Sequence, residues 1–388
     1  MSDSPIQLTR RSFMGAMGAP ALGAAAAACA PAAAPIQPQE STGAAWEKEW
    51  QELAAAAKKE GAVSVLSLVG AGYTKTVDAF SQAFPGIEGQ HQGFAGVTIY
   101  EPKIRQERQA GIYSFDVALV PMSVDQFSMR NDGIFDDTKP VIFRPDVLDD
   151  KAWHYGFEWG WVDEKKVWGY SSTYELRRAI GINTNLVKET EIKSVKDLLD
   201  PKWKGKMMFG DVRQGGMFLA MTSFRKVIGD EGIKKLIIDQ EPVHSLDTRQ
   251  ILEALIRGRF GIVLPGLTPW PVLKDLRDEG LNQSHIKWLE LPEATYVISV
   301  AALLLNKAPH PNAAKLFINW ILTKEGQTVL SKNVDFNSRR TDVPVVDQET
   351  MVKPGAVPDA YVRMNYYTNY PAILETQKLL QDLVRQRG

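Results

Sequence analysis

From residue 46 to residue 305 the chain alternates helical stretches with short apolar runs. That alternation restricts it to an α/β architecture with crossover connections. Residues 46–60 predict a helix stopped by Gly61, and 63–68 a buried strand. Gly70-Ala71-Gly72 forms a turn into a helix over 74–84, which Pro85-Gly86 ends. A helix over 99–110, a strand over 115–120 and a helix starting in 122–130 follow. Aromatic residues then crowd together: Trp153, Tyr155, Phe157, Trp159, Trp161, Trp168 and Tyr170. The charged run 163–166 interrupts them and predicts a hairpin with a polar tip. Further strands are expected at 178–183, 206–209 and 261–264, with helices at 216–227, 231–239 and 248–257. The apolar run 297–305 reads as a strand buried on both faces. After Pro311, the residues Ala313, Leu316, Phe317, Trp320 and Ile321 recur with the helical i, i+3, i+4, i+7, i+8 spacing. An amphipathic helix is expected at 372–387.

A chain of 388 residues exceeds one ordinary core, so two lobes are expected. Its 44% hydrophobic residues and ten tryptophans exclude a largely disordered polypeptide. Lys and Arg total 45 against 46 Asp and Glu, with no basic stretch, which argues against nucleic acid as a partner. A single cysteine excludes a disulfide framework, a Cys-rich zinc site and a cysteine-ligated iron–sulfur cluster. No apolar run in the sequence has the length of a strong membrane span.

The first 29 residues read as an export signal. Arg10 and Arg11, followed one residue later by Phe13 and then by a mild Ala/Gly-rich run, resemble the twin-arginine signal, which implies a translocase partner during export. Cys29 follows Ala26-Ala27-Ala28 and resembles the acylated cysteine of a lipoprotein box, with Ala26 where Leu is usual. Lipidation of Cys29 is the expectation, and cleavage at another small-residue site the alternative. Residues 30–44 read as a flexible tether.

Four segments, in order, resemble the extracellular solute-binding proteins of bacterial ABC importers, in the branch that binds iron(III), thiamine, polyamines and aminophosphonates. They are Ala57-Lys58-Lys59-Glu60-Gly61; Gly181-Ile182-Asn183-Thr184-Asn185-Leu186-Val187; Asp197-Leu198-Leu199-Asp200-Pro201-Lys202-Trp203-Lys204-Gly205-Lys206; and Pro309-His310-Pro311-Asn312-Ala313-Ala314-Lys315-Leu316-Phe317 with Lys324-Glu325-Gly326-Gln327. The resemblance implies an α/β fold of the type II periplasmic-binding-protein kind. Each lobe is then a mixed sheet flanked by helices, and hinge strands join the two. It places lobe one at 45–175 plus 296–345, lobe two at 176–295, and a C-terminal extension at 346–388. It also implies a monomer that grips a small solute in the inter-lobe cleft and delivers it to a membrane permease, with no cofactor and no catalysis.

In such a cleft, ligands meet residues that follow strands and start helices. Tyr73 and Ser123 are the candidates from lobe one, and Arg213, Gln214 and Thr248 those from lobe two. Arg213 is either a guanidinium fork for an anion or a surface residue paired with Asp211. Asp247 reads as a helix N-cap. Tyr170 and Trp270 are candidate stacking surfaces, and Tyr296 lies just before the returning strand.

Iron(III) binders of the family carry adjacent tyrosines where this chain has Leu267-Thr268-Pro269-Trp270; its Tyr366-Tyr367 pair lies beyond the resembling region. An organic anion is therefore the expected solute, with iron(III) the competing reading. An exported oxidoreductase is the alternative class. It would need a metal-ligand cluster, a dinucleotide fingerprint or a haem motif, and the five histidines are scattered.

Overall fold

The computed structural model describes residues 43–212, 215–266, 270–352, 362–363 and 367–387. The export signal with Arg10, Arg11 and Phe13, the tether and Cys29 lie outside these residues, as do Arg213 and Gln214. Among the described residues, no helix is long and apolar enough to cross a membrane.

Helix α1 (Gly43–Glu60) leads to β1 (Ala62–Leu68), α2 (Ala71–Ala83), β2 (Glu88–Phe94) and α3 (Val97–Gln109). Then come β3 (Val117–Pro121), α4 (Val124–Asn131), the single turn α5 (Pro145–Leu148) and β4 (Gly169–Ser171). Strand β5 (Thr173–Arg178) carries the chain to β6 (Gly181–Asn183), β7 (Met207–Gly210) and α6 (Gly215–Lys234). These are followed by β8 (Val243–Ser245), α7 (Thr248–Ile256), β9 (Ile262–Leu264), α8 (Trp270–Asp278) and β10 (Ile286–Trp288). The chain returns through β11 (Thr295–Ile298) and β12 (Val300–Leu304) to α9 (Pro311–Ile321) and α10 (Lys324–Val334). Beyond them lie β13 (Asn337–Ser338), β14 (Val362–Arg363) and α11 (Tyr370–Arg387).

These elements form the expected mixed α/β, two-lobed architecture. One sheet has the order β2-β1-β3-β12-β4, the second β10-β6-β9-β7-β8, and a third, smaller sheet β13-β5-β11-β14. In the first, β1, β2 and β3 run parallel while β12 runs antiparallel to β3 and β4. Side chains alternate across this sheet. Val65 and Leu119 face a core shared with Phe317 and Trp320 of α9, whereas Leu66 and Val120 face one shared with Tyr100 and Phe127. The second sheet packs Phe209, Ile262 and Leu264 against Met221 and Phe224 of α6, with Leu380 and Leu383 of α11 in the same core. Each such buried side chain contributes roughly 1.5–3 kcal/mol.

The run 297–305, expected as one strand, is two. It breaks at Ser299, so that β11 belongs to the small sheet and β12 to the first. The neighbouring chain does the same at Ser172, between β4 and β5. The two crossings are bonded to each other: Ser299 Oγ donates to Ser171 Oγ at 2.6 Å, Val300 N to Thr173 Oγ1 at 2.9 Å and Ser172 N to Val300 O at 3.2 Å. Arg339, fully buried beside them, donates to Ser171 O at 2.9 Å and Gly156 O at 2.7 Å while lying over the Trp153 and Tyr170 rings. The expected strand over 178–183 is likewise divided, because β5 ends at Arg178 and β6 starts another sheet at Gly181.

The segments that carried the resemblance turn out to be joints of the fold. Glu60, at the end of α1, accepts from Asn312 N at 3.0 Å, Ala313 N at 2.8 Å and Asn312 Nδ2 at 2.6 Å, so its carboxylate caps the start of α9. Asp116, wholly buried at β3, accepts from Ser64 N at 2.7 Å, His310 N at 2.6 Å and His310 Nδ1 at 2.8 Å. His310 is therefore structural. A Cβ on Gly326 would lie 2.2 Å from Trp320 O, which explains the glycine in the first turn of α10. In the second lobe, Asp200 Oδ1 accepts from Lys202 N at 3.0 Å, and Asn183 Nδ2 donates to Leu255 O at 2.9 Å.

Strand β2 was not expected. Its sequence, Glu88–Phe94, is polar and twice interrupted by glycine, which an edge strand paired on one side tolerates. The polar tip at 163–166 is present, closed by Val162 N donating to Gly169 O at 2.9 Å. Removing the Glu60 carboxylate (Glu60→Ala) should lower stability by about 1–3 kcal/mol in denaturant unfolding, since the α9 amides lose their acceptor. An unchanged midpoint would show that water replaces the cap without loss.

Candidate functional site

A cavity of about 800 Å³ opens where the ends of β1 and β3 face the helices of the second sheet. This is where ligands bind in open α/β sheets, beyond the strand carboxyl ends. From the first sheet it takes Leu68, Gly72 and Tyr73 near the start of α2, and Met122, Ser123 and Gln126 at the start of α4. Strands β5 and β11 contribute Arg177 and Ile298. Phe218 and Leu219 of α6, Thr248 of α7 and Val272 of α8 come from the opposite side, and Ile373 and Gln377 from α11. Asn333 to Phe336, at the end of α10 and just beyond it, complete the lining. The approach of α10 to α2 requires Gly72, because a Cβ there would sit 1.9 Å from Asn333 O.

Three of the expected residues share this cavity: Tyr73, Ser123 and Thr248. Ser123 is also the N-cap of α4. Its hydroxyl is 2.6 Å from Gln126 Oε1 and accepts from Asp125 N at 3.3 Å. Thr248 opens α7 behind the cap residue Asp247, which accepts from Arg249 N at 2.8 Å, as its sequence position suggested.

Tyr170 is not at the cavity, which corrects the expectation of a stacking role. It is fully buried with Phe157, Trp153 and Trp161 around its ring, and its hydroxyl donates to Phe157 O at 3.1 Å. Tyr296 is also outside the lining and only 2% exposed. It lies opposite Arg177 on the paired strand; burial raises its phenol and the Arg177 charge opposes this. Trp270 starts α8, and its side chain, like Arg213 and Gln214, lies outside the description.

Arg177 went unremarked in the sequence. Its Nη2 lies 3.2 Å from Glu175 Oε2, and its Nε is buried without an acceptor. The available signal was Glu175 and Arg177, two charges of opposite sign two residues apart in the strand Thr173–Arg178. Such a spacing puts both on one face. Burial pushes the Glu175 carboxyl above the usual range, and the Arg177 charge opposes it. Burial likewise raises the phenols of Tyr73 and Tyr100; Gln126 Nε2 donates to the Tyr100 hydroxyl.

Comparison with known proteins agrees with this geometry. Residues 172–333 match the family model described as bacterial extracellular solute-binding protein. An uncharacterized protein of Haemophilus influenzae is 25% identical over 222 residues, covering 56% of this chain and 62% of that relative. Among solved structures, iron-bound HitA from Pseudomonas aeruginosa superposes with TM-score 0.64 at 18% identity over 83% of this chain and 99% of that one. FutA of Trichodesmium, with iron and citrate, gives 0.60 at 14% identity over 83% and 99%. The spermidine/putrescine-binding PotD of Streptococcus pneumoniae gives 0.57 at 14% over 84% and 99%. The fold is that of the two-lobed periplasmic solute-binding proteins, and the resemblance read from the sequence holds.

The buried tyrosines generate a test. Burial raises the Tyr73, Tyr100 and Tyr170 phenols above their ordinary value of 10.0 and Tyr174 to about 12. Unfolding frees them to ionise near 10, so stability is full below that pH and falls as pH rises above it. Tyrosinate absorbance should therefore grow together with loss of circular dichroism. Complete titration around pH 10 in a folded protein would contradict the burial described.

Proposed function

We propose that this chain is the substrate-binding component of an ABC importer, which captures a small organic solute between its lobes and passes it unchanged to a membrane permease. The observation that carries the reading is the large, mostly apolar cavity lined from both sheets and from the strands between them. Solute contacts made from both sides are complete only when the lobes close, so binding shifts the population toward the closed form. The crossings at Ser172 and Ser299 serve as the hinge. They support lobe one at 45–175 plus 296–345 and lobe two at 176–295. Arg213, Gln214 and Trp270 join the ligand contacts in this reading, and no catalytic step is assigned. Arg10, Arg11 and Phe13 direct twin-arginine export, and Cys29 takes a lipid that holds the monomer at the periplasmic or extracellular face of the cytoplasmic membrane, with residues 30–44 as the tether.

Ferric ion is the second reading, favoured by the iron named for HitA and FutA. Against it, the cavity tyrosines Tyr73 and Tyr100 are held as neutral phenols, a form less suited than phenolate to a hard cation. A thermal-shift screen of the mature protein across organic acids, amines and ferric salts decides between them. Organic compounds should raise the melting temperature in a saturable way and be recovered intact. Stabilisation by ferric ion alone, with a visible phenolate band, would reverse the choice. Conversion of any bound compound would contradict a transport role.

A further inference from the structure

We infer that the cleft selects an amphipathic organic anion: one carboxylate or phosphonate head held by Arg177 and an apolar aliphatic or aromatic body. This rests on the reading of the cavity as the solute site. The walls carry the first half of the argument. Tyr73, Met122 and Phe336 on one side and Phe218, Leu219 and Val272 on the other leave a mainly apolar space of about 800 Å³. A sugar or a small polar amino acid enclosed there would leave hydroxyl or ammonium groups without partners. A hydrocarbon or aryl body loses nothing on entering, and the volume suits a molecule larger than acetate or a bare ion.

The head group follows from Arg177. Its side chain is 14% exposed, and it reaches the cavity from strand β5, where the chain crosses between lobes. A guanidinium carries five N–H donors. Glu175 engages Nη2 on one side and Tyr296 supports the group from the paired strand, yet Nε is buried with no acceptor. Nε is closed off from the cavity, so the guanidinium end that lines the wall is what gives a carboxylate or phosphonate oxygen a charge-assisted bond. The acidic residues of the lining do not. Asp125 Oδ2 lies 2.9 Å from the Ser123 hydroxyl in the first turn of α4, and Asp335 is exposed to solvent beyond α10. The half-buried charged group at the cavity wall is thus the Arg177 cation. It sits on the strand whose motion opens and closes the cleft, so the head group is bound at the hinge itself.

The test is a matched panel titrated against the mature protein by calorimetry and thermal shift. It comprises benzoate, 3-phenylpropanoate and octanoate; the amide and amine of each body; acetate as a head without a body; and ferric citrate. The inference expects at least one carboxylate to bind at least tenfold tighter than its amide and amine, with acetate giving no stabilisation. Arg177→Gln should abolish that carboxylate-over-amide preference, and Arg177→Lys should retain part of it. A merely structural Arg177 would lower the melting temperature of Arg177→Gln and leave the preference intact in the folded fraction, which would overturn the inference. Binding of the amines or of ferric citrate in place of the carboxylates would overturn the anion class while leaving the solute-receptor reading standing. No saturable stabilisation by any member would count against both.

Discussion

The hydrogen-bonded crossing of two strands, at Ser172 and Ser299, is the constraint on which the rest of the molecule depends. Each strand leaves one sheet and joins another within a single residue, and side-chain and backbone bonds tie the two crossings together. In the proposed closure the lobes turn about this pair. Arg339 fixes the crossing on the first-lobe side by donating to Ser171 O, and burial lowers the proton affinity of its guanidinium. Replacing such a group by an apolar one would strand the carbonyls it serves. On the other side of the crossing, β5 and β11 present Arg177 and Ile298 to the cavity. The strands that cross between sheets also line the cavity, so in the proposed function a bound solute would touch the proposed hinge directly.

Most of the fold was legible because its signals are local. The stripe Ala313, Leu316, Phe317, Trp320, Ile321 and the turn glycines have one physical reading each, and the helix and strand they imply are present. The family-like segments proved legible for a related reason. Glu60 capping α9, Gly326 under Trp320 O, and Asp200 and Asn183 bonding nearby backbone are requirements of chain geometry. They identify the scaffold and are silent about its cargo. Where periodicity alone was used, it joined what the structure separates. Residues 297–305 are uniformly apolar, and nothing in that run marks Ser299 as the point where one sheet gives way to another.

The site was less legible because aromatic residues serve cores and ligands equally well. Tyr170 has the composition of a stacking platform, yet three neighbouring rings already occupy its faces and edge. Arg177, which does reach the cavity, stands next to Arg178 in sequence, and only the alternation of side chains along β5 separates the two. Ile373 and Gln377 come from a helix far along the chain, so no spacing rule could bring them to Tyr73. Ligand identity in this architecture is written by a few side chains from many elements.

Lobe closure about the two crossings is the central claim, and a distance measurement tests it most directly. Spin labels at Ile99 on α3 and Leu246 ahead of α7, both exposed, report across the cleft once Cys29 is replaced. The account predicts a shorter and narrower distance distribution at saturating concentration of the most stabilising solute than in its absence. A distribution that stays the same when the site is full would contradict it.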